Sequence, residues 1–530
     1  MKKTYKISAL LATMTLVLAC EKYELPEVAA PEAGTADFSK VIVVGGNVAS
    51  GFMNGALYFD GQNQSYPAII ASQMGQAGGG DFAQPSVGST SVNGCYNPTG
   101  GCTLGRLYLK LVNGSPLPTP KSSGELAVFA PYSGDNNNFS VPSLTIQTAL
   151  IPQTGGPANA NPYYNPYYAR FASAPGTSTV IGDAAAEMAD GGTFFIMDLG
   201  TNDMLGYALG GASNSALLTS KAAFSAAYNA ALNALFTANP EAKGVLANIP
   251  DIADLPYFTS VAYNPVPLDA GTASLLSGAN GFGGYNQALD GLVGFKALFG
   301  ISDALAAEIT SRKVSFTASK TNKILITDES LTDLGPYFDA LANANVINGA
   351  QRAALEPYRQ VRHTKSTDLV VLPAASVLGT LIGGNPTAIN GVSLPLGYGE
   401  AGTSDKYIIT PAELTEIQTR TAEFNAIIAD AVSARTTGLN TTNEVANLTL
   451  ADVYKNVKDA RNGRAVIKGS TITASIAPPF GGFSLDGVHP NARGNGWLAN
   501  IFISSINKTF KSSIPLCDPN SLNGNEFPIP

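Results

Sequence analysis

Short apolar runs, each closed by glycine, proline or a polar residue, alternate with longer stretches of helical period along this chain. Lys40–Val44 is β-branched and ends on Gly45-Gly46, and Phe194–Leu199 ends on Gly200. Leu126–Ala130, Val245–Pro250 and Asp368–Pro373 read as further short strands. Between them, Lys221–Asn239 is rich in Ala and Leu at 3.6-residue spacing, with Pro240 marking its end. Thr410-Pro411-Ala412-Glu413 carries an N-cap, a proline at N1 and a glutamate at N3, and predicts a helix running to about Ala434. A last helix is expected from about Gly496 to Thr509. Strands alternating with helices predict an α/β fold with a mainly parallel sheet.

In such folds ligands sit at the carboxyl ends of the strands. Gly45-Gly46-Asn47 and Gly200-Thr201-Asn202-Asp203 each follow a predicted strand immediately, so the two elements can share one crevice. The chain has two histidines. His489 lies one short turn after Asp486, a spacing that lets a carboxylate fix the imidazole tautomer and support its charged form. His363 lies in a polar stretch before a strand and reads as structural or surface-exposed. Asn202, at a strand tip, can donate to a developing oxyanion.

Composition narrows the function classes. Charged residues make up only 13% of the 530, and the net charge is −8. Nucleic-acid binding is disfavoured, because phosphate contacts need basic patches and no Lys/Arg run lies beyond the leader. That leader joins basic residues Lys2, Lys3 and Lys6 to an apolar stretch, Ala9–Ala19, too short to span a bilayer. It ends Leu16-Val17-Leu18-Ala19-Cys20, which resembles the lipobox of bacterial lipoproteins, in which the cysteine is acylated. An ordinary secretory signal with a chance cysteine is the alternative. The chain is therefore expected to be anchored at the outer membrane and exposed at the cell surface, since acidic residues after Cys20 resemble surface-export signals. Cys95 and Cys102 flank a turn-rich loop and are expected to form a disulfide in an oxidising envelope. Cys517 stands outside that pair, either buried or bonded to one of the two. No zinc ligand set or other metal site is legible, and no cofactor is implied.

Taken in order, these elements resemble the SGNH/GDSL hydrolase superfamily, closest to a branch of envelope lipoproteins. Further segments that carry the resemblance are Gly61–Pro67, Asn161–Tyr164, Asn202–Ala208, Asn248–Asp251 and Asp486–Asn491. The resemblance spans most of the mature chain. It implies a three-layer α/β fold with large helical and loop insertions, and a catalytic set of serine, glycine N–H, asparagine and an Asp–His pair. His489, Asp486 and Asn202 match that set. Two positions depart from it: Asn47 stands at the nucleophile serine, and Ser143 stands at the oxyanion glycine. Ser143 keeps its backbone N–H, but Asn47 has no hydroxyl to attack a carbonyl. Ser50, three residues on, is the nearest substitute nucleophile.

The expected organisation is a signal peptide at 1–20 and a flexible tether at 21–37. A domain at 38–515 follows, with insertions near 260–360 and 380–480, and a C-terminal tail at 516–530. The expected function is a catalytically degenerate binding or accessory subunit of an envelope complex. A sugar or acyl ester is the expected ligand and an outer-membrane β-barrel the expected partner. An active esterase on acylated glycans or lipids is the alternative.

Overall fold

The computed structural model describes residues 29–89, 105–112, 115–120, 131–400, 406–435, 447–467 and 470–527. The predicted strand Leu126–Ala130, the leader with Cys20, and the pair Cys95 and Cys102 lie outside these residues.

The sheet is built from runs that are apolar on both faces. Strands β1 (Val41–Gly45), β2 (Phe194–Asp198), β3 (Lys243–Ala247) and β4 (Leu448–Ala451) pair in that order, all parallel. Nearly every residue in them is buried, as expected of a parallel sheet covered on both sides. Adjacent residues of β2 show the two faces directly, because side chains alternate along a strand. Phe194 meets Phe510 edge-on at 5.7 Å, and Phe195 meets Phe236 at 5.3 Å.

Phe510 ends α7 (Ala492–Phe510), which packs with α1 (Tyr66–Gly75) through a stacked Tyr66–Phe502 pair at 4.7 Å. Phe236 belongs to α4 (Lys221–Ala238), which together with α2 (Val180–Ala189) and α5 (Pro411–Ala434) covers the opposite face. The α4 stripe of Phe224, Ala227, Tyr228, Ala231, Leu232 and Leu235 is buried at three- and four-residue spacing. Its Phe224 stacks on Phe424 of α5 at 3.9 Å. Two short helices, α3 (Asn202–Leu209) and α6 (Val453–Arg461), follow β2 and β4. The molecule is thus a three-layer α/β/α sandwich.

Helix starts follow their caps. The Glu413 carboxylate accepts from the Thr410 N–H at 2.7 Å at the start of α5, as predicted. The start of α7 falls earlier than Gly496. Asn491 caps it, accepting from the Gly494 N–H at 2.9 Å, so helix begins directly after the His489 turn.

Four expectations on organisation are corrected. The 380–480 span holds α5, β4 and α6, so much of it belongs to the central layers rather than to an insertion. Asp368–Pro373 contributes only Leu369–Val370, paired antiparallel with Ile408–Ile409 outside the main sheet. The segment expected as a tether is strapped down from Glu32 onward: Thr35 N–H donates to Phe510 O at 2.7 Å, and Ser513 N–H to Glu32 O at 2.9 Å. The tail also packs: Cys517 is buried, and its N–H donates to Asn500 Oδ1 at 2.8 Å.

Residues 266–392 form a lobe with its own apolar core, including Leu289, Leu292, Ile309, Phe338 and Leu341. Where the lobe meets the main core, beside Ile326 and Val370, is a buried ion network. Arg362 donates to Asp328 at 2.5 Å and, as a two-pronged pair, to Asp368 at 2.6 and 2.9 Å.

Candidate functional site

Asn47 and Asn202 hang from a strand end and a helix start, and Ser143, Asp486 and His489 from turns. β1 ends at Gly45, and the chain turns through Gly46 into Asn47. β2 ends at Asp198, and α3 opens with Asn202 two residues after Gly200. A Cβ on Gly46 would lie 2.8 Å from Asn202 Nδ2 and would displace that amide. Ser143 sits on the segment following Val141, whose N–H donates to Gly45 O at 3.0 Å.

The Asp486–His489 turn is tight. Asp486 Oδ1 accepts from the N–H groups of Val488 and His489, both at 2.9 Å. Ser484 N–H donates to His489 O at 2.7 Å and closes the loop. Gly487 is left-handed (φ +74°) and lies against Tyr257, whose N–H donates to its carbonyl. Asp486 Oδ2 holds His489 Nδ1 at 3.0 Å and also accepts from Gly55 N–H at 2.9 Å. The ring of Phe52 braces the imidazole edge-on at 5.1 Å. Burial pushes the Asp486 carboxyl up, but its pairing with His489 and the two backbone donors outweigh it and hold it down at about 2.

The expected constellation comes together, and Asn47 lies at its centre. Asn47 Oδ1 is 2.5 Å from Ser143 N and 3.2 Å from Asn202 Nδ2. Asn47 Nδ2 is 2.8 Å from His489 Nε2. The polarity of this chain is fixed by groups that have no choice. A backbone N–H can only donate, so the atom facing Ser143 is the carboxamide oxygen. Leu144 O can only accept, at 3.0 Å, so the Asn202 atom facing it is the NH₂ group, which also reaches Asn47. The ionised Asp486 accepts from Nδ1–H, which leaves Nε2 to accept from the Asn47 amide. The Asn47 carboxamide thus accepts at its oxygen from two donors and donates from its nitrogen to the imidazole.

Ser143 has φ +63°. A glycine would adopt this conformation freely, whereas a side chain there costs about 1–2 kcal/mol. The N–H nonetheless points at Asn47, so the donor survives the substitution. Ser50 is buried, and its hydroxyl donates to Asn47 O at 2.7 Å within the turn, so it does not stand in as nucleophile. His363 lies in the separate lobe, its Nε2 accepting from Ser315 N–H at 3.4 Å. Among the described residues no cluster of His, Cys, Asp and Glu is arranged to hold a metal.

Beside the pair lies an apolar cavity of about 70 Å³, walled by Leu144, Leu205, Leu255, Val453 and Trp497 and reaching Asn47 and His489. The exposed Ser143 edge opens the site to solvent.

One supporting residue carries a role that its sequence context did not reveal. Asp203 is fully buried and clamps the two halves of the hole, accepting from Ile146 N–H at 2.9 Å and from the Thr219 hydroxyl at 3.0 Å. Burial pushes its carboxyl up to about 7 against these hydrogen bonds. The folded state thus holds the proton more tightly than the unfolded chain, whose Asp titrates near about 4. Stability from this group is complete below about pH 4 and lost as pH rises through about 7. Wild type should therefore lose stability between about pH 4 and pH 7 in denaturant titrations, and Asp203→Asn should flatten the slope; equal slopes would remove Asp203 as the cause.

Fold and site together define a three-layer α/β protein with an Asp–His pair facing a carboxamide held by a backbone N–H and a second asparagine. No known protein family, characterised protein or solved structure matches this chain.

Proposed function

We propose that this is a lipid-anchored protein of the outer membrane with an SGNH-hydrolase type of domain. Its catalytic centre has become a binding site, and it serves as a binding or accessory subunit of an envelope complex. The observation that carries this reading is the bridge made by Asn47. One carboxamide occupies both the oxyanion donors and the histidine base, so neither is free to drive hydrolysis. A carboxamide nitrogen is not a nucleophile, and loss of the nucleophile removes most of the rate in hydrolases of this kind. The adjoining apolar cavity suits a small acyl or alkyl group, with Asn202, His489 and the Ser143 edge supplying polar contacts. For the anchor, the Leu-Val-Leu-Ala-Cys20 sequence is the support, and no described helix is long and apolar enough to cross a membrane. An outer-membrane β-barrel is the partner proposed for the surface-facing subunit.

Two measurements test the reading. Purified wild type should release no nitrophenol from short-chain esters above the buffer rate. Cys20→Ala should move the protein from the membrane fraction to the soluble fraction and abolish incorporation of labelled palmitate. Wild-type hydrolysis that disappears in His489→Ala would make the protein a working esterase instead.

A further inference from the structure

The lobe at 266–392 carries a second pocket, of about 520 Å³, whose lining is basic in a chain of net charge −8. Arg312, Lys313, Lys323, Arg362, His363 and Lys365 line it, and no carboxylate does. Much of this charge is already answered. Arg362 is neutralised by Asp328 and Asp368, and Lys313 lies 2.5 Å from Asp290. Buried Arg312 has Glu308 only at 3.6 Å, its guanidinium being held by the carbonyl oxygens of Thr332 and Arg359. Among the described residues, Lys323 and Lys365 have no carboxylate within 4 Å. Both are exposed at the rim, one on the turn after Asn322 and one after the strand Val361–His363.

The rest of the lining suits a hydroxylated ligand. Ser315, Thr317 and Thr321 supply hydroxyls that donate and accept, and Asn322 an amide. The volume lies within the range of small-molecule sites. The two rim ammonium groups without a carboxylate partner favour an anion, and the hydroxyl-rich wall favours a polyol rather than an apolar acid.

We propose that this pocket binds an acidic saccharide, with Lys323 and Lys365 gripping its anionic group and the Ser/Thr wall meeting its hydroxyls. The site is separate from the Asn47 pocket and does not depend on the reading given for it. Burial, and after it the nearby ammonium of Lys323, hold the His363 imidazole below its usual range. The histidine therefore adds a neutral hydrogen-bonding ring near neutral pH rather than a further charge.

Calorimetric titration of the full mature chain with glucuronate, glucose 6-phosphate, inorganic phosphate and glucose tests this. At least one charged sugar should bind saturably, glucose should not, and binding should weaken as salt is raised, because exposed charges are screened within about 8 Å at physiological ionic strength. Whether glucuronate or glucose 6-phosphate binds tells a carboxylate source from a phosphate source. Lys323→Gln and Lys365→Gln should each weaken binding about tenfold, as expected for a charge-assisted hydrogen bond. The Lys→Arg pair should retain it. Both side chains are exposed, so the fold should survive these changes. No saturation by either charged sugar, unchanged affinity in the double Gln variant, or equal binding of inorganic phosphate and the sugar phosphate would overturn the proposal.

Discussion

Asn47→Ser is expected to switch on ester hydrolysis. The substitution empties the oxyanion hole, freeing Ser143 N–H and Asn202 Nδ2, and places a hydroxyl beside His489 Nε2. Every other part is already in place: the imidazole is oriented by Asp486, braced by Phe52 and relieved of its amide partner. A preorganised oxyanion hole and a positioned base acting on a serine should raise nitrophenyl ester cleavage by about 10³-fold or more over wild type. Asn47→Ala separates the two effects, because it empties the hole without supplying a nucleophile and should stay inert. Adding His489→Ala to Asn47→Ser should return the rate to background. A well-folded Asn47→Ser protein with no activity would mean that the pocket has lost more than its nucleophile, the strained Ser143 being the first suspect.

Arg362→Met is expected to unfold the lobe at 266–392 well before the sheet. Arg362, Asp328 and Asp368 have almost no exposed side-chain surface. Removing the guanidinium leaves two carboxylates buried without a cation, a loss of about 3–5 kcal/mol. That is a large part of the stability of a typical domain. Denaturant titration followed by hydrogen exchange should show the lobe's amides losing protection first. Neutralising all three positions together, with Asp328→Asn and Asp368→Asn, should recover much of the loss, because the uncompensated charge is the cause. A change below about 1 kcal/mol in Arg362→Met would show that solvent reaches the network.

Much of this architecture is legible in the residues. β1 and β2 are short β-branched or aromatic runs closed by glycine, and the functional asparagines follow those glycines as the parallel-sheet rule requires. The proline after α4 and the Thr-Pro-x-Glu start of α5 mark helix ends by local chemistry alone. The misses also have physical reasons. β4 is four residues long in a polar neighbourhood, and its partner β3 lies some 200 positions earlier, so nothing local identifies it. Asp368–Pro373 has the composition of a buried strand, but composition does not say which sheet receives it. The start of α7 was readable in Asn491 with Pro490 before it, a cap signal outweighed by the glycines at 494 and 496. At the site, the order of motifs pointed to the residues. The left-handed Ser143 and the rotamer by which Asn47 plugs the hole are three-dimensional facts with no local signature.

The strapping of Glu32–Ala36 gives the body a base and a mouth. Phe510 O and the Lys243 ammonium both hold Thr35, beside the amino ends of β2 and β3. Asn47, Asn202 and His489 lie at the other pole, across about 16 Å of strand. The chain thus enters the folded body on the side away from the crevice. Were Cys20 to carry the lipid proposed for it, the attached end and the pocket would lie at opposite poles of the body, and a ligand would reach the pocket from the side away from the anchored end.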